Sequence, residues 1–415
     1  MKKNPINRIV VLMMENQSFD RLLGFAKGVG QLDGSQFAFN SKGEKVYVSS
    51  GADPVVHNEF NPPHLFLDTM KQLYGDEKYA GQKPTGAGML SAVFPESDKQ
   101  KEIEFMSFFS PEQIPALTTL AQKFVSCDRW FSSVPGPTGP NRLFAHTASS
   151  GGYTGSLWLA KDGLNPPEGM KTIFESLHNK NVSWRIYSPD NIKTAACLPY
   201  VAKHSENVTG LDQFFEDAKS NQLADYNFVN PDLWKNSQHP GEVPNLVPGD
   251  HLIADVYEAI RQNDELWANT LLLITYDEAG GYYDSVVSTE EMPPLAKIPP
   301  SGGWDKSSHD FDFKYLGVRV PALLISAYLD HRVDHTSYEH ASILASLKEL
   351  FQLRSEGPEG FLTSRDQHAN SIFANNLFRN SPRQDLFQLP RNPLKGTDKL
   401  TAIRRHLPDE KYKYI

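Results

Sequence analysis

Two short apolar runs in the 415-residue chain end in acids. Ile9 to Met14 runs into Glu15-Asn16, and Leu271 to Tyr276 runs into Asp277-Glu278-Ala279-Gly280-Gly281. Acids directly after a strand can simply cap the next helix. When two strands end this way, however, an alternative arises. Carboxylates and an amide oxygen gathered at one sheet edge make an all-oxygen site suited to a hard divalent cation. A third segment, Val134-Pro135-Gly136-Pro137-Thr138-Gly139-Pro140-Asn141-Arg142, has the prolines and glycines of a tight turn followed by the first turn of a helix. Thr138 then falls at or just before a helix N-terminus, where N–H groups and the positive dipole end favour a phosphate. There Thr138 is either a plain N-cap or a hydroxyl nucleophile toward phosphorus. Arg142 adds a planar fork of donors that suits phosphate oxygens. Of the thirteen histidines, His64 (Asn61-Pro62-Pro63-His64) and His239 (Ser237-Gln238-His239-Pro240) sit in proline-stiffened loops, where a general acid or a phosphate contact can be held. His178 and His340 fall in helical patterns and read as surface or packing residues; His204, His251, His335 and His368 carry no assignment.

The elements that must position these groups alternate between strand and helix. Ile9 to Met14, Val182 to Tyr187, Leu271 to Tyr276 and Val320 to Ser326 read as buried strands of a largely parallel sheet. Ser110-Pro111-Glu112-Gln113 predicts a capping box opening a helix to about Val125. Asp250 predicts the cap of a helix whose Ile253, Val256, Tyr257 and Ile260 share a face. Thr336 and Glu339 predict a further box ahead of Ile343, Leu344, Leu347, Leu350 and Phe351. The pattern implies an α/β sandwich with helices on both faces of the sheet. Residues 27 to 63, 86 to 101, 230 to 250 and 286 to 313 are rich in Gly, Pro, Ser and Asp and read as long functional loops. The expected division is one α/β domain over residues 1–356 and a C-terminal extension wrapping it over 357–415. The aromatic stretch Phe105 to Phe109 and Trp130-Phe131 can form either an apolar entrance or core.

Composition removes other classes. Fifty acidic against 41 basic residues give a net charge of −9, with only short, interrupted basic clusters such as Arg404-Arg405 with Lys411 and Lys413, so nucleic acid is not an expected partner. No apolar run approaches the roughly 20 residues that cross a bilayer, which leaves at most peripheral membrane contact. Cys127 and Cys197 are more in keeping with buried thiols than with a disulfide framework. Met1-Lys2-Lys3 leads into an apolar run too short for a signal peptide, so the expected compartment is the cytoplasm, or export without a cleaved N-terminal signal.

At these same residues the chain resembles a known family. Glu15-Asn16-Gln17-Ser18-Phe19-Asp20 is similar to the E-N-R-S-F-D signature of the phosphoesterase family, which includes bacterial and plant non-specific phospholipases C and some bacterial acid phosphatases. Asn61 to His64, Phe109 to Pro115, Cys127 to Phe131 with Pro135 to Arg142, Asn236 to Pro240, Thr275 to Gly281 and Leu316 to Pro321 follow in the family's order. The resemblance implies an alkaline-phosphatase-like α/β fold and phosphate-ester hydrolysis through a covalent phospho-enzyme. It also implies a divalent metal (Ca, Mg, Mn or Zn) at Glu15, Asn16, Thr138, Asp277 and Glu278. Thr138 matches the family's nucleophile, and His64 and His239 match histidines of its catalytic pocket. Three positions depart: Gln17 replaces an arginine, and Ala279 and Ser285 stand where many members have histidine. The leading expectation is a phospholipase C type phosphodiesterase acting on a phosphate ester, possibly a phospholipid. The alternatives are a phosphomonoesterase of acid phosphatase type and a catalytically silent binding relative.

Overall fold

The computed structural model describes residues 5–52, 60–75, 81–155, 170–189, 198–241, 245–293, 295, 311–353, 361–385 and 387–393. The centre is an eight-stranded sheet. Its members are β1 (Arg8–Met14), β6 (Val125–Cys127), β7 (Trp184–Tyr187), β8 (Val208–Thr209), β9 (Tyr226–Val229), β10 (Thr270–Tyr276), β11 (Ala322–Ile325) and β12 (Arg332–Asp334), in the order β12-β6-β11-β10-β1-β9-β7-β8. Every pairing is parallel except the two made by β11. Two small additions, β2 (Phe37–Phe39) with β3 (Lys45–Tyr47) and β4 (Ser49–Ser50) with β5 (Ser107–Phe108), lie outside it. Every residue of β10, and all but the first of β1, is buried. A strand apolar on both sides is stable only when both sheet faces are covered.

The helices provide that cover. One group joins α5 (Thr138–Thr147), α6 (Ile173–Asn179), α11 (Ala341–Phe351) and α12 (Ser364–His368); another joins α4 (Pro115–Lys123), α8 (Leu211–Lys219), α9 (Val247–Arg261) and α10 (Asp264–Trp267). The short α1 (Phe19–Leu23), α2 (Phe66–Tyr74), α3 (Lys99–Phe105) and α7 (Pro199–Lys203) complete the set. The predicted α/β class is therefore observed. No helix among the described residues is long and apolar enough to cross a membrane.

All three predicted caps are corrected. Ser110 and Gln113 form a closed turn, Gln113 Oε1 accepting from Ser110 N at 2.7 Å. The helix waits for Pro115, because the residue before a proline is pushed off helical geometry, as Ile114 is at φ −129°, ψ 62°. Asp250 lies inside α9, and its carboxylate caps α4 instead, accepting from Ala116 N at 3.0 Å and Leu117 N at 2.9 Å. Thr336 donates to Asp334 Oδ1 at 2.8 Å, while Glu339 is taken by Arg365 (Oε1···Nε 2.7 Å), so α11 begins only at Ala341. The strands β6, β8, β9 and β12 were not predicted. They are two to four residues long and offer no apolar period to read. Phe105, Phe108, Phe109, Trp130 and Phe131 are all buried, so the aromatic stretches are core, not an entrance. Cys127 is a buried free thiol, and Cys197 lies outside the described residues. The described residues from 361 onward pack on the core, with Arg365 on Glu339, Lys348 on Asp366, and Arg391 on Asp255 at 2.7 Å.

Burial pushes Asp250 up to about 7 against the pull of its two N–H donors. The neutral form is therefore favoured in the fold. The stability this contributes is full below the ordinary carboxylate range and is lost as pH rises through about 7. Asp250→Asn, neutral at all pH and still offering an acceptor oxygen, is expected to lose less stability than the parent between pH 4 and 7. Thermal melts of both proteins across that range check this.

Candidate active site

The parallel strands β10, β1 and β9 lie side by side, with Met14 opposite Tyr276 and Leu12 opposite Val229. Their carboxyl ends therefore deliver Asp277, Glu15 and Asn230 to one place, the edge where open α/β sheets bind ligands. Asn16 turns the chain at φ +54°, and its N–H donates to Asp277 Oδ1 at 3.1 Å. Two glycines make the close approaches. A Cβ on Gly280 would meet Asn16 O at 2.3 Å, and one on Gly281 would meet Pro63 O at 2.6 Å. The loop after β10 thus nests between the β1 end and the turn carrying His64.

Thr138 is the first residue of α5, as predicted. Asn141 fixes the turn before it, accepting from Val134 N at 2.9 Å and donating to the carbonyls of Val134, Gly136 and Pro137 at 3.0–3.1 Å. Thr138 Oγ1 lies 3.3 Å from both Glu15 Oε2 and Asn16 Oδ1. Its single hydrogen can serve one of them at a time.

Arg142, one turn further along α5, is completely buried. Nε donates to Asp277 Oδ2 at 3.1 Å, Nη1 to Asn230 Oδ1 at 2.7 Å, and Nη2 to Glu15 Oε1 at 2.5 Å and Met13 O at 3.2 Å. This corrects the expectation that Arg142 meets phosphate: its fork is spent beneath the site, holding the carboxylates. Asn230 and His340 are site-supporting residues that the sequence reading missed. His340 accepts from Trp130 Nε1 at 3.3 Å on Nδ1, so its Nε2–H donates to Asp277 O at 2.6 Å.

Glu15 and Asp277 pair with this guanidinium, and Glu278 adds a third buried carboxylate beside Asp277. Burial pushes Glu15 up to about 8 despite Arg142, and Asp277 adds to the rise. Burial, then Asp277, also pushes Glu278 well up. Glu278 Oε2 accepts from Gly280 N at 2.5 Å, while Oε1 is buried without a hydrogen-bond partner. Buried Gln72, not singled out in the sequence, donates to Gly281 O at 2.8 Å and leaves its own Oε1 unpaired in the same small cleft.

Beside these groups stand the two histidines, half-buried His64 and buried His239, their ring centroids 5.8 Å apart. Each Nδ1 lies 2.7 Å from a backbone carbonyl, Pro62 O for His64 and Pro240 O for His239. Carbonyls only accept, so each ring carries its proton on Nδ1. His64 Nε2 is 3.4 Å from Asn16 Nδ2 and 3.7 Å from Glu278 Oε1. Burial lowers both histidines, His239 to about 4 with His64 as the second cause. The structure thus gathers Glu15, Asn16, His64, Thr138, His239, Asp277 and Glu278, and places Arg142 underneath.

A hydroxyl at a helix N-terminus, set among carboxylates and opposed by histidines, suits attack on phosphorus. The comparisons agree. Residues 6–354 match the model of the phosphoesterase family. The chain belongs to that family. It is similar to non-specific phospholipase C5 of Arabidopsis thaliana, 34% identical over 98% of this chain and 80% of the relative. It is also similar to phospholipase C B of Mycobacterium tuberculosis, 26% identical over 83% and 73% of the two chains. Among solved structures, a protein in the alkaline phosphatase superfamily from Vibrio parahaemolyticus is similar over 85% of this chain and 67% of its own, at 9% identity and a TM-score of 0.35. This phosphoesterase is a hydrolase of phosphate ester bonds.

Removing the central guanidinium would leave Glu15 and Asp277 buried without their cation. Arg142→Met is therefore expected to cost about 3–5 kcal/mol of stability, the range for breaking a buried ion pair from one side. Denaturant unfolding of the two proteins measures it.

Proposed function

We propose that this phosphoesterase is a divalent-metal-dependent phosphodiesterase of phospholipase C type, working through a phosphothreonine at Thr138. The observation that carries the reading is the placement of Thr138 Oγ1 at the head of α5, 3.3 Å from Glu15 Oε2 and Asn16 Oδ1, with His64 Nε2 3.4 Å from the same Asn16 side chain and the His239 ring next to it. The phospholipase C character of the relatives supports the diester.

By donor type the set suits a hard cation. Among the described residues no group of three Asp, Glu, His or Cys side chains stands ready to hold a metal ion. The ligands we assign are therefore mixed, Glu15, Asp277 and Glu278 with the Asn16 amide and the Thr138 hydroxyl, and would draw together around the ion; burial favours the neutral forms of Glu15 and Glu278, so a bound cation would displace their protons. The unpaired Glu278 Oε1 is a further sign of a missing positive partner. Bound there, a metal would act as a Lewis acid toward a phosphoryl oxygen and the Thr138 hydroxyl. All-oxygen donors suit Ca, Mg or Mn, and Zn also accepts carboxylates.

The chain's own groups account for the protons. Glu15 Oε2 takes the Thr138 hydrogen as Oγ1 bonds to phosphorus and the bond to the glycerol oxygen breaks. A histidine protonates that oxygen; the phosphate's negative charge favours the protonated ring once substrate is bound. Water then gives a proton to a histidine and attacks the phosphothreonine; the bond from phosphorus to Oγ1 breaks, Thr138 takes back the proton held by Glu15, and the phosphorylated head group leaves. The N–H groups of the first turn of α5 face the crowded phosphorus.

Hydrolysis of p-nitrophenylphosphorylcholine and of phosphatidylcholine should exceed that of p-nitrophenyl phosphate, vanish with a chelator and return with one of the four metals. A faster monoester reaction would make the enzyme a phosphatase. Thr138→Ala is expected to lower kcat by roughly a thousandfold or more. In acid-quenched parent enzyme, mass spectrometry should find a phosphorylcholine adduct on Thr138; an active Thr138→Ala protein would end the nucleophile assignment.

A further inference from the structure

The described residues leave five large apolar side chains strongly exposed: Phe39, Tyr47, Phe60, Leu65 and Ile103. All five come from the excursion that carries His64. Leu65, 61% exposed, directly follows that histidine as the N-cap residue of α2. Phe60 stands on the other side of the same turn, and its carbonyl is held at 2.8 Å by Tyr282 OH, from the loop that follows Glu278. Its ring meets Phe94 at 5.6 Å and Phe105 at 6.3 Å. Phe105 ends α3, which presents Ile103 to solvent, and buried Glu102 of α3 accepts from Asn40 Nδ2 at 3.1 Å, just after Phe39 in β2. Phe37 packs on Phe39 at 5.3 Å and Tyr47 at 5.7 Å. Phe60 and Leu65 thus flank the mouth of the site, and Ile103, Phe39 and Tyr47 stand on elements packed behind Phe60 through Phe105, Glu102 and Asn40.

We propose that this surface seats the enzyme on a phospholipid surface, so that a lipid's phosphate reaches Thr138 while its apolar body stays at the rim formed by Phe60 and Leu65. The inference rests on the phospholipase C reading. Isolated exposed apolar residues are ordinary, but a grouping confined to the wall of one site marks an interaction face. Continuity with that site names the occupant, because the ester to be cleaved joins a polar phosphate to an apolar diacyl body. Lys45 Nζ sits 4.1 Å from the centroid of the Phe37 ring, a cation on an aromatic face beside Phe39 and Tyr47.

The test uses the full chain, phosphatidylcholine vesicles and the soluble diester p-nitrophenylphosphorylcholine. Leu65→Ser replaces an exposed leucine by a better N-cap, and the double variant with Ile103→Gln guards against a small single effect. Expected is a fall of about tenfold in vesicle co-sedimentation for Leu65→Ser and more for the double variant, with soluble-diester turnover within about twofold of the parent. Equal vesicle binding by all three proteins, or no binding by the parent, overturns the proposal. So does a parent dimer that Leu65→Ser dissociates, which would make the face a contact between copies. Co-sedimentation is read without turnover. Vesicle binding with no hydrolysis of either substrate would sink the phospholipase reading alone.

Discussion

A single buried cation holds the catalytic end of this protein together. Arg142 gathers β1 through Glu15 and Met13 O, β10 through Asp277, and β9 through Asn230, so three strand ends and α5 share one guanidinium. A charge without solvent is tolerable only when most of its donors are satisfied, and here side-chain and carbonyl oxygens satisfy them. Thr138 lies four residues earlier on the same helix. Pinning Arg142 therefore fixes Thr138 above the same carboxylates, because residues i and i+4 sit one above the other on a helix face.

The same device recurs further out. Arg319, stacked 4.3 Å from the Phe19 ring, binds Asp20 Oδ1 at 2.7 Å and Asp284 Oδ1 at 2.8 Å. That clamp joins the segment after Glu15-Asn16 to the segment after Asp277-Glu278, five residues beyond the start of the first pair and seven beyond that of the second. Arg365 does likewise for Glu339 and the Ser133 carbonyl (2.6 Å and 3.4 Å). The acids of these blocks are all buried and divide by partner. Asp20 and Asp284 hold loops to one another, whereas Glu15 and Glu278 keep oxygens available at the site.

The strands and the site were legible for the same reason. β1 and β10 are buried on both faces, so they appear as unbroken apolar runs, and the first residues that are not apolar are the acids of the site. Thr138 could be placed because prolines and glycines constrain the backbone locally. What could not be read depends on partners distant in sequence. Asp250 caps a helix 134 residues away from its own position, and Glu339 is drawn off by Arg365. The role of Arg142 was misread because a phosphate and a carboxylate ask the same planar fork of an arginine. Asn230 and His340 carry no local signal at all; only strand order and the packing of α11 bring them under Asp277.

The departure at Gln17 can be followed through these contacts. Its Oε1 accepts from Arg21 Nη1 at 2.6 Å, and its Nε2 donates to Gln238 O at 2.7 Å. A positive charge is therefore still present one helical turn away, at Arg21, whose guanidinium lies 3.4 Å over the Tyr282 ring and is lowered to about 10 by burial. What Gln17 touches is the residue before His239. Gln238 sits at φ +71°, accepts from Tyr276 OH at 2.5 Å and donates to Leu246 O at 3.0 Å. Gln17 is thus one strut of a clamp that orients the His239 loop, and its exchange for arginine alters that strut without removing charge from beside Glu15 and Asp277. Ser285 is exposed, its N–H given to Asp20 Oδ2 at 2.7 Å, and Ala279 lines the small cleft with Glu278 and Gln72. Neither position carries a ring here, so the imidazoles gathered with Thr138 and the carboxylates are the two on the proline-stiffened loops.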